Sequence, residues 1–117
     1  MGKAWGKLPY PAFMETTDCV IFGRGDGDVR ELWRGKCYFG WRRRRRQERD
    51  GLSEELAGWA SFGRDIRDEL GGYGSDDLEF LVDGKRFLVD EVRWLFNPDG
   101  SFHHLRFGLG AVVAWQE

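Results

Sequence analysis

Residues 52–72, with the sequence LSEELAGWASFGRDIRDELGG, decide the fold class that the sequence predicts. Their apolar positions recur at spacings of three and four, the period of one face of an α-helix. Ser53 suits a helix N-cap, Glu54 and Glu55 suit the first turn, and Gly71 suits the residue after the last turn. We therefore predict an amphipathic helix over residues 53–70. Its apolar stripe consists of Leu52, Leu56, Trp59, Gly63, Ile66 and Leu70 and leaves Phe62 outside.

The segment before this helix predicts a β-hairpin. Residues 18–23 read DCVIFG and residues 29–41 read VRELWRGKCYFGW, and Gly and Asp dominate the connection between them. A turn centred near Asp28 would place Cys19 opposite Cys37. We interpret the two cysteines as small apolar residues buried in neighbouring strands, because they lack the spacing of metal ligands or of a redox pair.

The segment after the helix predicts a second hairpin, DLEFLVDGKRFLVDE, at residues 77–91. Asp83-Gly84 suits a type I′ turn, in which both central residues have positive φ. The turn fixes three cross-strand pairs, which are Val82 with Lys85, Leu81 with Arg86, and Phe80 with Phe87. The core face then contains Leu78, Phe80, Phe87 and Val89, and Glu79 lies among polar neighbours on the other face.

A third hairpin is predicted for EVRWLFNPDGSFHHLRF at residues 91–107. If Asn97 faces Gly100, one face is apolar and consists of Val92, Trp94, Phe96, Leu105 and Phe107. A type I turn with a glycine bulge would shift this register by one residue and mix the faces, so we follow the hydrophobic pattern. The alternation of apolar residues shifts by one position between Val89 and Val92, which predicts a bulge near Asp90. Residues 109–115, LGAVVAW, predict a final strand.

These elements predict a single α+β domain over residues 1–117. An antiparallel sheet of five or six strands would be arranged as a hairpin, a helix and a meander, and the helix at 53–70 would pack on the sheet. The length fits one hydrophobic core, and no linker or internal repeat divides the chain. This arrangement does not by itself indicate a protein family.

Composition indicates a folded chain that we expect to be cytoplasmic. Hydrophobic residues make up 41% and aromatic residues 15% of the sequence, far from the composition of a disordered chain. The N-terminus has no apolar segment typical of a signal peptide, and the longest apolar run is far shorter than a membrane helix. Two cysteines are too few for a disulfide framework. We therefore expect no membrane association.

Charge is segregated along the chain. Residues 34–49 contain eight basic residues and one acidic residue, whereas residues 50–83 contain ten acidic residues and two basic ones. The net charge of −2 is thus a cancellation of opposite blocks. The basic block includes the candidate partner-binding residues, which are Trp41, Arg42, Arg43, Arg44, Arg45, Arg46 and Arg49.

Two functions compete for the arginine run. Five guanidinium groups beside aromatic residues could bind phosphates and stack bases, which would make the chain a nucleic-acid-binding module. In a strand, however, alternate residues point to opposite faces, so no face presents all five arginines. The pI near 5.7 is also far from the basic value typical of nucleic-acid-binding domains. We therefore expect a protein partner with an acidic surface, as for an inhibitor, immunity or anti-defence protein of phage or plasmid type. Pairing of these arginines with carboxylates of the neighbouring helix in the same chain is the structural alternative and stays open.

Other chemistry has weaker support in the sequence. His103 and His104 are adjacent, and on a regular strand they would point to opposite faces and could not easily bind one metal ion. The calcium-loop and dinucleotide-binding patterns are not matched by residues 24–31, RGDGDVRE. We therefore predict no catalytic residues, no metal site and no cofactor, and we expect that the protein is not an enzyme.

Overall fold

The computed structural model describes residues 8–48 and 51–115, and the side chains of residues 42–57, 111 and 113–115 lie outside the description. Six strands form one closed antiparallel barrel in the order β1-β2-β3-β6-β5-β4. The strands are β1 (Thr17–Gly25), β2 (Asp28–Glu48), β3 (Gly51–Phe62), β4 (Leu78–Val82), β5 (Lys85–Phe96) and β6 (Phe102–Trp115). A four-residue helix, α1 (Arg67–Leu70), lies between β3 and β4.

The predicted α+β class is wrong, because most of the predicted helix is strand β3. Trp59 and Ser61 lie on the outer face of the barrel, while Ala60 and Phe62 are fully buried inside it. This alternation has period two, the period of a strand. Pairing with β2 and β6 supplies hydrogen bonds to the backbone of β3 over several residues. These tertiary contacts outweigh the local helix propensity. Gly58 already lowers that propensity by about 1 kcal/mol relative to Ala.

The end of the predicted helix is partly correct. Residues Arg67–Leu70 are helical, and Gly71 follows them in the left-handed conformation with φ 64°. Ile66 and Leu70 are buried in the core. Because β3 and β4 lie on different sides of the barrel, the connection between them crosses one end of it. Ile66 and Leu70 therefore close that end.

The hairpin at Asp83-Gly84 is confirmed to the residue. Asp83 has φ 52° and Gly84 has φ 73°, as a type I′ turn requires. The observed pairs are Val82↔Lys85, Leu81↔Arg86 and Phe80↔Phe87. The predicted core residues Leu78, Phe80, Phe87 and Val89 are all buried. On the outer face, the Glu79 carboxylate lies 3.2 Å from Arg24 Nε and 3.1 Å from Arg86 Nε.

The first hairpin forms with a different register from the predicted one. Its turn is at Asp26-Gly27 instead of near Asp28, and Cys19 faces Gly35 while Cys37 faces Thr17. A bulge between Ile21 and Phe22 shifts the pairing along the strand. Cys19 and Cys37 are nevertheless both buried and free, so their interpretation as buried thiols is confirmed.

The third hairpin contains two irregularities that cancel. Gly100 N–H donates to the carbonyl of Asn97 and Asn97 N–H donates to the carbonyl of Ser101, so Asn97 does not face Gly100 as predicted. A second shift lies between Leu95 and Phe96. Together, the two one-residue shifts leave each side chain on the face that the prediction gave it. Leu105 and Phe107 are buried as predicted. Phe96, predicted in the core, is 50% exposed.

Strand β5 also contains the bulge predicted near Asp90, since the pairing with β6 shifts between Val89 and Glu91. Aromatic rings fill the interior around Phe62, Phe80, Phe87 and Phe107, each of which is fully buried. Full burial of one such ring stabilises the fold by about 1.5–3 kcal/mol. The barrel is therefore held by one contiguous hydrophobic core to which all six strands contribute.

Candidate partner-binding surface

The arginine run lies in a two-stranded extension of the barrel, which we call the arm and define as residues 42–48 of β2 and 51–57 of β3. Strand β1 pairs with β2 only up to Cys37, and β6 pairs with β3 only from Gly58 onward. Within the described part of the chain, the arm residues pair only with one another. The sequence thus continues one hairpin beyond the closed sheet and places five arginines on it.

The arm register partly balances these charges. Arg44 pairs with Glu55 and Arg45 pairs with Glu54. Directly opposite residues have Cβ atoms about 4.5–5.5 Å apart, where opposite charges attract. The other three arginine positions face uncharged residues, in the pairs Arg42↔Ala57, Arg43↔Leu56 and Arg46↔Ser53. The described arm therefore keeps an excess of positive charge, with five arginines against Glu48, Glu54 and Glu55.

Of the predicted site residues, Trp41 is the one whose side chain the structure describes. It is 41% exposed at the base of the arm. Its ring lies 5.0 Å from the Phe39 ring and 5.6 Å from the Phe87 ring, and Lys85 Nζ lies 4.8 Å from its centre. Trp41 thus links the arm to the barrel core and remains accessible. The side chains of Arg42, Arg43, Arg44, Arg45 and Arg46, and the whole of Arg49, lie outside the described residues.

The opposite end of the barrel is acidic. The β1–β2 turn, the β3–β4 connection and the β5–β6 turn all lie at the end remote from the arm. These connections present exposed carboxylates from Asp26, Asp28, Asp65, Asp68, Glu69, Asp76, Asp77 and Asp99. Phe62 lies eight residues from Glu54 along β3, which corresponds to roughly 26 Å at the rise of a strand. The acidic block is therefore divided: Glu54 and Glu55 lie on the arm, whereas the exposed carboxylates between residues 65 and 77 lie at the opposite end of the barrel.

Sequence reasoning missed an aromatic and polar patch on the outer face next to the arm. The Trp59 indole lies flat over Gly40, where an added Cβ would be 2.5 Å from Trp59 Cε2. Tyr38 contacts the indole edge, and Arg106 Cζ lies 5.1 Å from its ring. A pocket of about 220 Å³ beside this ring is lined by Asp90, Glu91, Arg93 and Gly108 among others. Glycine opposite a tryptophan in an alternating strand is the signal that could have identified this patch.

The prediction that His103 and His104 point to opposite faces is wrong. His103 lies between Phe102 and His104, where the pairing with β5 is irregular. Their Nδ1 atoms are 2.6 Å apart, and Tyr10 stacks on the His104 ring. The cross-strand partner of Trp94 is Leu105. Burial, the neighbouring His103 and then Arg106 lower the pKa of His104.

The Tyr10 hydroxyl fixes the N-terminal segment to the outer face. It lies 3.2 Å from Ser61 Oγ, and burial raises the pKa of Tyr10 to about 12 although the contact with Ser61 opposes this. The carbonyl of Pro9 accepts a hydrogen bond from His103 Nε2 at 3.1 Å. The histidine pair is therefore a structural contact for this segment.

Metal and thiol chemistry have little basis among the described residues, which contain no cluster of three or more His, Cys, Asp or Glu side chains able to hold a metal ion. The contact with Cys19, followed by burial, raises the pKa of the Cys37 thiol. A raised thiol pKa disfavours the nucleophilic thiolate. The arm and its aromatic base remain the strongest candidate site.

No protein-family model and no curated protein matches this sequence. Within residues 8–48 and 51–115, no helix has the length and apolar character needed to cross a membrane.

Proposed function

We propose that the protein acts by binding another protein, whose acidic surface contacts the arginine arm and Trp41. The observation that carries this proposal is the position of the run. Five consecutive arginines lie on a hairpin extension beyond the closed barrel, at the end opposite the acidic connections β1–β2, β3–β4 and β5–β6. Arginine binds carboxylates with two parallel hydrogen bonds, and an exposed tryptophan at the edge of such a surface is typical of interface anchors.

A protein partner fits the register better than a nucleic acid does. Glu54 and Glu55 lie opposite Arg45 and Arg44, and carboxylates within the contact surface repel a phosphate backbone. Alternation along β2 divides the remaining positions between two faces, with position 43 on one and positions 42 and 46 on the other. Two small positive faces suit discrete carboxylates better than a continuous polyanion.

Nucleic-acid binding is the second candidate, because the arm is a two-stranded β-ribbon with a positive excess. Such a ribbon has the width of the DNA major groove. In the sequence, the acidic block directly follows the arginine run and would repel a nucleic acid bound there. In the structure, the acidic end of the barrel lies away from the arm, so this repulsion is weaker. In both candidates the barrel acts as a scaffold for the arm. That the protein is no enzyme, and that it belongs to an inhibitor, immunity or anti-defence class, stay predictions.

Capture from native cells tests the proposal. We expect tagged wild-type protein to recover a specific protein partner that survives nuclease treatment. The variant Arg43→Ser, Arg44→Ser, Arg45→Ser should lose it. A matched control, Arg30→Ser, Arg64→Ser, Arg93→Ser, removes the same charge from exposed positions outside the arm and should retain the partner. Recovery of nucleic acid that only the arm variant loses would establish the second candidate instead.

A further inference from the structure

Among the described residues, no strand pairs with one edge of residues 38–48 in β2. Strand β2 contains 21 residues, and β1 pairs with it only up to Cys37. Beyond that point β3 borders one side of β2, and no strand among residues 8–48 and 51–115 borders the other. A free edge presents unpaired backbone N–H and C=O groups, which can pair with another extended chain. The closed barrel thus leaves an open strand edge along the arginine run.

The described segment before β1 forms no strand pairing with this edge, although its turn Ala12–Met14 lies close to β2. Thr17, the first residue of β1, pairs with Cys37. Before it, the Glu15 carboxylate accepts a hydrogen bond from Gly63 N–H at 2.7 Å, and Tyr10 lies against Ser61. The described N-terminal residues therefore run across β3 toward β6. An added strand beside residues 38–48 would continue the line of β1.

We infer that this edge binds an extended acidic segment of a partner protein as an additional β-strand. The inference rests on the proposed function and adds the form of the partner. Backbone pairing along β2 would supply hydrogen bonds, and arginine positions on both faces would meet acidic side chains of the segment. Since alternate positions of a strand belong to opposite faces, a segment with carboxylates on both faces matches the arginine positions of both faces.

A second copy of the chain fits this edge poorly. Two-fold antiparallel pairing of two β2 edges centred on Arg44 would place Arg43 opposite Arg45 of the other copy. Like charges directly opposite each other destabilise strand pairing. The run therefore protects the edge from self-association while favouring a strand of opposite charge.

Trp41 indicates where such a segment would be anchored. Its ring is 41% exposed and contacts Phe39 and Phe87 on the barrel side. An aromatic residue on an edge strand contributes through contacts with its cross-strand neighbour. The segment is thus expected to carry a β-branched or aromatic residue opposite Trp41 and acidic residues opposite positions 42–46.

The first probe is a synthetic peptide of about twelve residues in which Glu-Glu and Thr-Thr pairs alternate, so that a strand long enough to cover the edge carries carboxylates on both faces. A second peptide has the same side chains with N-methyl groups on consecutive central amides, so its charge is unchanged but neither of its edges can pair. Fluorescence anisotropy gives the Kd of each peptide for the full chain. Amide hydrogen exchange with and without peptide reports protection at residues 38–48.

We expect the unmethylated peptide to bind, to protect amides in residues 38–48, and to bind at least about tenfold more tightly than the methylated peptide, as for the loss of two or more hydrogen bonds. Trp41→Ala should weaken binding, whereas Val29→Ala, which truncates a 48% exposed side chain at the other end of β2, should not. Analytical ultracentrifugation should show a monomer without peptide.

Three results would overturn the inference. Equal affinity for both peptides would show attraction by charge alone, and absence of peptide binding at low salt would exclude the acidic strand as occupant. Self-association that protects residues 38–48 would assign the edge to a second copy. None of these removes a partner captured through the arm, so the inference can fail while the proposed function stands. The proposed function would be refuted separately if the control variant Arg30→Ser, Arg64→Ser, Arg93→Ser lost the captured partner as the arm variant does.

Discussion

The Nδ1 atoms of His103 and His104 lie 2.6 Å apart, so two neighbouring residues of one strand join their rings by a hydrogen bond. The Pro9 carbonyl can only accept, so neutral His103 carries its proton on Nε2. His103 Nδ1 must then accept from His104 Nδ1–H. Full protonation of both rings would place two N–H groups against each other and break this contact.

Stability should therefore decrease as the pH falls below about 6.5, the ordinary pKa of histidine. Because the pKa of His104 is lowered in the folded protein, the unfolded chain binds more protons in this range, and protonation favours unfolding. Arg106, Tyr10 and Glu15 are the other ionisable groups of this region. Urea unfolding from pH 8 to pH 5 measures the effect. His103→Asn, His104→Asn should reduce the pH dependence, and an unchanged slope in this variant would contradict the assignment.

Gly40→Ala should lower the free energy of unfolding by about 1–3 kcal/mol, because the new Cβ would overlap the Trp59 indole. Gly74→Ala is the matched control, since Gly74 has φ −78° and an added Cβ there meets no atom within 4 Å. The control should change stability by less than about 0.5 kcal/mol. In a Trp59→Ala background, Gly40→Ala should become nearly neutral. Equal costs in both backgrounds would show that the contact does not determine the effect.

Gly84→Ala should cost about 1–2 kcal/mol, because Gly84 has φ 73° and an L-residue with a Cβ is strained there. Asp83→Asn should be nearly neutral, since Asn tolerates positive φ and the Asp83–Lys85 ion pair is long, at 3.6 Å, with an exposed carboxylate. Denaturant unfolding of both variants measures the difference. A neutral Gly84→Ala would mean that the turn is not type I′.

Cys19 and Cys37 should react slowly with a thiol reagent in the folded protein and rapidly in denaturant. Both are buried, and the pKa of Cys37 is raised, so the reactive thiolate is scarce. Cys19→Ala, Cys37→Ala should lower stability but retain partner binding. Rapid labelling at native pH, or loss of binding at unchanged stability, would indicate a functional thiol.

Elements with local signals were predictable from the sequence. Asp83-Gly84 defines its own turn, and the turn fixes the pairs from Val82↔Lys85 to Phe80↔Phe87. The shift in the alternation of apolar residues likewise located the bulge at Asp90. Both depend only on residues close in sequence, where turn chemistry and alternation determine the structure.

The predicted fold class was wrong because strand pairing between residues distant in sequence determines the structure of this segment. Residues 53–62 have good helix-start signals at Ser53 and Glu54, but this segment pairs with β2 on one side and β6 on the other. The complementary arginine and glutamate runs were the available signal for that pairing. The bulge at His103 has no comparable local signal, so the histidine contact could not be predicted. The arginine run itself was found, and its place on an arm follows from the barrel closing at Cys37 and Gly58.

Association kinetics with the captured partner at low and high salt test the central claim most directly. In low salt we expect Arg43→Ser, Arg44→Ser, Arg45→Ser to associate about tenfold more slowly than wild type, because clustered surface charge steers encounter. Arg30→Ser, Arg64→Ser, Arg93→Ser should keep a rate near that of wild type, and all three proteins should melt at similar temperatures. Wild-type association and affinity in the arm variant would contradict the claim that the arm binds the partner.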